Sequence, residues 1–277
     1  MINFEQELNK EQLAVVIEGD GPCLVLAGAG SGKTRAITYR VAYLLEKGVN
    51  PNNILLVTFT NKAAKEMMDR VATLTAGEIK LPWSGTFHHI AYRILRQYAT
   101  LLNYKNNFSV LDAQDSLDLF KLCLKKESFD SLQSDSGRAA QDRGRKFPSA
   151  KVIQSIVSYA RNAEKTLEEV LDLKYPSWLT IADDISRINQ EYEFRKKEAN
   201  VMDFDDLLVN LYLLLLKSEK VRAKLSEQFQ YVLVDEYQDT NKIQASIIKL
   251  LASYHKNILV VGDDAQSIYS FRAADIA

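Results

Sequence analysis

The chain has 277 residues, 47% hydrophobic and 26% charged, a balance that suits a soluble globular protein of one large or two ordinary domains. Its 35 Lys and Arg nearly match its 36 Asp and Glu, and the formal charge of −1 excludes a polyanion-binding surface spread over the whole molecule, so any nucleic-acid surface has to be a local patch. Two cysteines, Cys23 and Cys123, leave no disulfide or metal framework; residues 1–7 are acidic with no apolar signal core, and the longest apolar run, near 211–216, is far too short to span a bilayer, which together lead us to expect a cytoplasmic protein with no membrane partner.

In chain order, residues 4–18 read as a helix, with Asn9 as an N-cap candidate and Gln12, taken alone, a solvated helix residue. Pro22-Cys23-Leu24-Val25-Leu26 is a short apolar run rich in β formers and reads as a buried strand. It opens into Ala27-Gly28-Ala29-Gly30-Ser31-Gly32 and then Lys33-Thr34, where a helical pattern starts. Strand, glycine loop and helix N-terminus make a phosphate cradle: glycines let backbone N–H groups turn inward, and the first N–H groups of the helix favour an anion. Lys33 is placed to reach the β/γ-phosphates and the Thr34 hydroxyl to ligate Mg²⁺, so ATP with Mg²⁺ is the expected ligand. Ala27 stands where the G-x-x-x-x-G-K-[ST] pattern has its first glycine.

Residues 54–59 read as a second buried strand, followed by Thr60-Asn61 as a capping pair and a helix. Thr58, Phe59, Thr60 and Asn61 fall at a strand's C-terminal end, where open α/β sheets bind ligands, although on these residues alone a capped helix with a core phenylalanine is the favoured account. Residues 82–87 resemble the end of a third strand, with a helix from His88 to about Tyr98; the adjacent His88 and His89 lack metal-ligand spacing.

From about 104 to 200 strand-like runs vanish, and helices are expected over 112–126, 150–160 and 178–197. The polar stretch 128–149 gathers Arg138, Arg143, Arg145 and Lys146, with Lys151 just after it, against Asp142; it is either a solvated loop or an arm that binds a nucleic-acid backbone. Met202-Asp203-Phe204-Asp205-Asp206 opens another helix with acids at its N-terminus, as the helix dipole prefers. A strand over 231–234 closes on Asp235-Glu236-Tyr237-Gln238, a helix covers 241–251, and a last strand over 258–261 closes on Gly262-Asp263-Asp264-Ala265-Gln266. The expected fold class is α/β: a P-loop parallel sheet flanked by helices, built from 1–103 and 201–277, with an all-helical subdomain inserted at 104–200.

An apolar strand ending in Asp-Glu is the natural partner of a phosphate loop. Asp235 is expected to hold Mg²⁺ alongside Thr34, and Glu236 to accept a proton from the attacking water. Gln266 is placed to contact the γ-phosphate or that water. Tyr269, Phe271 and Arg272 just beyond suit base stacking, worth roughly 1–3 kcal/mol per base, although taken singly the two aromatics read better as core residues.

Taken together, seven segments in order resemble the N-terminal half of superfamily 1 DNA helicases of the UvrD/PcrA/Rep kind. They are Leu8-Asn9-x-x-Gln12, Ala27 to Arg35, Thr58 to Ala64, Gly85-Thr86-Phe87-His88, Asp203 to Leu207, Val234 to Asn241 and Gly262 to Arg272. In that family alanine is the usual first residue of the phosphate loop. The resemblance implies a RecA-like ATP-binding lobe in which Gln12 contacts adenine, and Lys33, Thr34 and Arg35 with the loop hold the phosphates and Mg²⁺. It assigns Asp235 and Glu236 as metal ligand and catalytic base, and Gln266 as the link from γ-phosphate to DNA. Phe59, Asn61, Thr86, Phe87, His88, Tyr269 and Phe271 match positions that line the single-strand path, and the helical insert matches an accessory subdomain that touches DNA. The implied activity is 3′ to 5′ movement on single-stranded DNA, with duplex separation at ss/ds junctions, by a monomer. Ala265, Ala273 and His89 depart from the family pattern without removing a catalytic group. A second RecA-like lobe, carrying the arginines that reach the γ-phosphate, is expected beyond residue 277, so the chain alone should hydrolyse ATP poorly. The helicase portion of a RecB/AddA-like helicase–nuclease, and a nucleotide-gated DNA-binding module without turnover, fit the same segments; a P-loop kinase fits poorly, since no acceptor site or lid is visible.

Overall fold

The computed structural model describes residues 2–28, 30–77, 80–134 and 147–263. In chain order, α1 (Phe4–Glu7) and α2 (Lys10–Glu18) precede β1 (Pro22–Leu26), α3 (Lys33–Glu46), β2 (Ile54–Thr58), α4 (Asn61–Leu74), β3 (Ser84–Thr86) and α5 (Phe87–Tyr98). Next come β4 (Ser109–Val110), α6 (Ala113–Ser134), α7 (Ala150–Asn162), α8 (Leu167–Lys174), α9 (Ala182–Glu198) and β5 (Val201–Met202). The last are α10 (Phe204–Lys217), α11 (Glu219–Gln228), β6 (Tyr231–Val234), α12 (Lys242–Leu251) and β7 (Ile258–Gly262). The chain folds as two compact units: residues up to Leu95 with those from Asn210 onward, and Arg96–Val209.

The first unit is a five-stranded parallel sheet in the order β1-β7-β6-β2-β3. Parallel strands need crossover helices, and the helical patterns after β1 and β2 supply them as α3 and α4. Ile37, Val41 and Leu44 of α3, with Met67 and Val71 of α4, pack on Ile54, Leu56, Leu233, Leu259 and Val261 of the sheet. The five residues of β2 are all buried, as expected of a strand covered on both faces. β1 differs from the expected buried strand. It lies at the sheet edge; Cys23 and Val25 pack toward the α3 core while Leu24 and Leu26 remain 60% and 62% exposed. Alternation along an edge strand with one covered face produces this pattern.

The helix expected over 4–18 is two helices. Leu8 is extended, and Asn9 starts α2 through a capping box in which its side chain accepts from Gln12 N while Gln12 Oε1 accepts from Asn9 N.

In the second unit α6, α7, α8 and α9 enclose a core that includes Phe120, Ile153, Val170, Leu171, Ile185, Ile188 and Tyr192. The expectation that strands vanish here is corrected by a short parallel pair, β4 with β5, at the two ends of the segment. The helix expected from 178 begins at Ala182, after a 3-10 turn over Pro176–Ile181. At the start of α10, Asp203 and Asp206 cap each other's backbone N–H and both accept from the fully buried Lys196, at 2.8 and 2.6 Å. Arg161 reaches Asp206 and, at 3.1 Å, Glu193, and Tyr192 OH donates to Asp203 at 2.9 Å. Despite burial, Lys196 and Arg161 hold the Asp203 carboxyl below its usual range, so the acids that the sequence offers as a helix cap also neutralise a buried cation hub. Among the described residues no helix is long and apolar enough to cross a membrane.

Candidate nucleotide site

The C-terminal ends of β1, β6 and β7 meet along one edge of the first unit's sheet, the edge at which open α/β sheets take ligands. Past β1, Ala27 N–H donates to Gly262 O at 3.1 Å and carries the ladder into the loop. Ser31 closes the turn, with its N–H and hydroxyl both donating to Gly28 O, at 3.3 and 2.7 Å. Gly32 caps α3 at φ 87°, a left-handed conformation, so the backbone demands glycine; a Cβ there would also stand 2.4 Å from Gln12 Nε2 and push that flexible side chain off the loop. No side chain caps α3, which leaves its first N–H groups to a ligand. Gln12 Nε2 donates to Ser31 O at 3.0 Å, tying α2 to the loop. Ala29 lies outside the described residues.

Two strand ends and the start of α3 contribute charge here. Lys33 Nζ lies 3.2 Å from Asp263 Oδ2, both side chains being buried. Thr34 Oγ1 donates to Asp235 Oδ2 at 3.4 Å across 201 residues of chain. Burial, and then the neighbouring Glu236, push the Asp235 carboxyl up to about 6 against the pull of Thr34 and Lys33. Glu236 itself is left-handed at φ 53°, and Gln238 Nε2 donates to its Oε2 at 2.6 Å. The other end of that amide, Oε1, accepts from Asp263 N–H at 3.0 Å. Gly262 makes room: a Cβ there would stand 3.0 Å from Gln238 Oε1. Burial and Glu236 also raise Asp239 to about 6, and its Oδ1 has no hydrogen-bond partner.

The structure therefore gathers Lys33, Thr34, Asp235 and Glu236, with Gln12 against the loop. Arg35 is engaged elsewhere: its guanidinium donates to Glu7 O at 2.8 Å and to Tyr39 OH at 3.1 Å, so a role in holding phosphate requires it to leave those partners. Of the expected DNA residues, Asn61 is exposed, Phe59 and His88 are half-buried, and Thr86 and Phe87 are buried, all at or just past the ends of β2 and β3. A phenylalanine 4% exposed offers no open ring face to a base. Gln266, Tyr269, Phe271 and Arg272 lie outside the described residues, as do Ala265 and Ala273. Among the described residues no three His, Cys, Asp or Glu cluster as a metal site; a Mg²⁺ shared with a triphosphate needs only one or two protein ligands. Gln238 and Asp263 were not singled out by sequence. Both stand in the strand-end segments, but their contacts exist only once β6 and β7 pair.

Comparison with known proteins gives a family match. The UvrD/REP helicase N-terminal domain family matches residues 8–277. The protein named ATP-dependent DNA helicase PcrA of Staphylococcus aureus (strain NCTC 8325 / PS 47) is 39% identical over 270 residues, covering 97% of this chain and 35% of that protein. The protein of the same name from Staphylococcus epidermidis (strain ATCC 12228 / FDA PCI 1200) is 39% identical over 272 residues, covering 98% and 35%. The chain thus spans 35% of the length of these relatives.

Proposed function

Because the chain belongs to the UvrD/REP helicase N-terminal domain family, we propose that it is the ATP-binding portion of an ATP-dependent DNA helicase that moves 3′ to 5′ on single-stranded DNA. The observation that carries the reading is the meeting of Thr34 with Asp235 at 3.4 Å beside Lys33, since nothing local in the sequence brings those groups together.

In this reading the loop amides, the α3 N-terminus and Lys33 take the phosphate charge, with Arg35 joining once it leaves Glu7, and Gln12 reaches the adenine. Thr34 and Asp235 offer a hydroxyl and a carboxylate, hard oxygen donors that suit Mg²⁺. When bound, that ion neutralises charge on the β- and γ-phosphates. The raised Asp235 carboxyl agrees with a buried anion that a cation would satisfy. Glu236, held through its Oε2 by Gln238, takes the proton of the attacking water. Gln266 relates the γ-phosphate to DNA, whose path runs by Phe59, Asn61, His88, Tyr269 and Phe271, with the buried Thr86 and Phe87 supporting that path and not stacking on bases. Residues 1–103 and 201–277 form one RecA-like lobe, 104–200 an accessory insert that touches DNA, and a second lobe completes the catalytic cleft in a cytoplasmic monomer that acts at ss/ds junctions.

Calorimetric titration of Mg²⁺-ATP into the 277-residue chain tests the nucleotide part. Saturable binding that Lys33→Ala weakens about ten-fold or more is expected, with single-strand-stimulated turnover well below about 1 s⁻¹ for want of trans arginines. No saturable binding would remove the ATPase reading; fast turnover by the chain alone would remove the second-lobe requirement.

A further inference from the structure

We propose that Asp263 is the internal counter-ion of the phosphate loop: its carboxylate holds Lys33 in the nucleotide-free site, and an incoming phosphate has to displace it. The inference rests on reading the loop as a phosphate site. Lys33 Nζ and Asp263 Oδ2 are 3.2 Å apart, with side chains only 9% and 4% exposed, so water screens the pair little. The two ends of the pair are not equally anchored. Asp263 follows β7, whose Gly262 pairs with Leu26, and its N–H is held by Gln238 Oε1. Lys33 sits on a flexible four-carbon stem at the first residue of α3, next to the glycine turn. Exchange therefore moves the lysine while the aspartate stays, and the aspartate recaptures the lysine when phosphate leaves.

A buried cation stripped of its carboxylate gains most from any phosphate offered to it. Removing the Asp263 charge should accordingly tighten binding of bare phosphate groups, and only through Lys33. Pyrophosphate, ADP and adenosine are titrated in EDTA into the wild-type chain, Asp263→Asn, Lys33→Ala and the double variant, each checked for its unfolding midpoint. Expected for Asp263→Asn is pyrophosphate and ADP binding about ten-fold tighter, adenosine within about two-fold, and no gain in the Lys33→Ala background. Asp263→Ser, which keeps an oxygen to accept from Lys33, gives the same order if the asparagine variant folds poorly. Pyrophosphate binding unchanged or weaker in a folded Asp263 variant, or the same gain without Lys33, overturns the inference while leaving the phosphate loop standing. Wild-type chain that binds no pyrophosphate, or binds it equally with Lys33→Ala, overturns the phosphate-loop reading and the inference with it.

Discussion

Asp235→Asn should make the metal-free chain more stable at neutral pH while destroying its proposed metal site. Burial lifts this carboxyl from 3.8 to about 6, with Glu236 adding to the rise. A folded-state value above the unfolded one means that the folded protein binds the proton more tightly. The stabilisation is therefore complete below about pH 4 and is lost as pH climbs through 6. A shift of about two units at 1.36 kcal/mol each sets a ceiling near 3 kcal/mol. Asparagine carries no charge to desolvate but satisfies the Thr34 hydroxyl and Glu236 N–H less well, so we expect a net gain of about 2 kcal/mol at pH 7.5. Urea unfolding in EDTA between pH 4 and 8 measures it. Trp83 packs edge-on against Phe229, 5.2 Å away, in the unit that holds Asp235, so a Trp178→Phe background reads that unit by fluorescence. The advantage should shrink toward zero at pH 4, and Mg²⁺-ATP should reverse it by stabilising only the wild type. A less stable Asp235→Asn at pH 7.5, or a difference that ignores pH, would refute the reasoning.

Gln238→Ala should slow single-turnover ATP hydrolysis at saturating nucleotide by about 10–100-fold, because it frees Glu236, while its release of the Asp263 N–H shifts affinity by less than that; hydrolysis at the wild-type rate once nucleotide saturates would show that Gln238 does not position Glu236. Lys196→Met should cost about 3–5 kcal/mol in urea unfolding, since it leaves Asp203 and Asp206 buried with one cation fewer; a neutral result would mean that Arg161 alone suffices. Burial pushes the Cys123 thiol up to about 11, so a thiol reagent should label the half-buried Cys23 first and Cys123 only on unfolding; equal labelling rates would contradict that burial. Single-strand binding should weaken with salt at a log–log slope of roughly −0.7 per phosphate neutralised, and a slope near zero would exclude a backbone-tracking groove.

The parts of the site that the sequence displays are those in which one short segment does the whole job. The glycine loop must be glycine for backbone reasons at Gly32, and an apolar strand running into Asp235-Glu236 marks itself. Partnerships across strands are different. Lys33 with Asp263, and Gln238 with the Asp263 N–H, depend on β7 lying between β1 and β6, which no local periodicity encodes. Asp203 and Asp206 mislead in the opposite direction: they do cap α10, but the buried Lys196 that they satisfy lies seven and ten residues earlier on a helix that reads as exposed and charged. β1 shows why an apolar run is a poor guide to depth, because a run can be half open at an edge and still read as core.

Register is what makes the Asp-Glu pair two different instruments. Val57 pairs with Val234, Val234 with Val260, and Leu26 with Gly262, so Asp235 leaves its strand beside the loop and one residue before the turn. Side chains alternate along a strand, and a slip of one residue in β6 would carry the adjacent acid toward Thr34 instead. The left-handed Glu236 guards against a simple exchange of roles, since it breaks the alternation at once and turns its carboxylate to Gln238. The same amide grips Asp263, which in turn holds Lys33, so the proposed base, the phosphate lysine and the end of β7 share one connected set of hydrogen bonds.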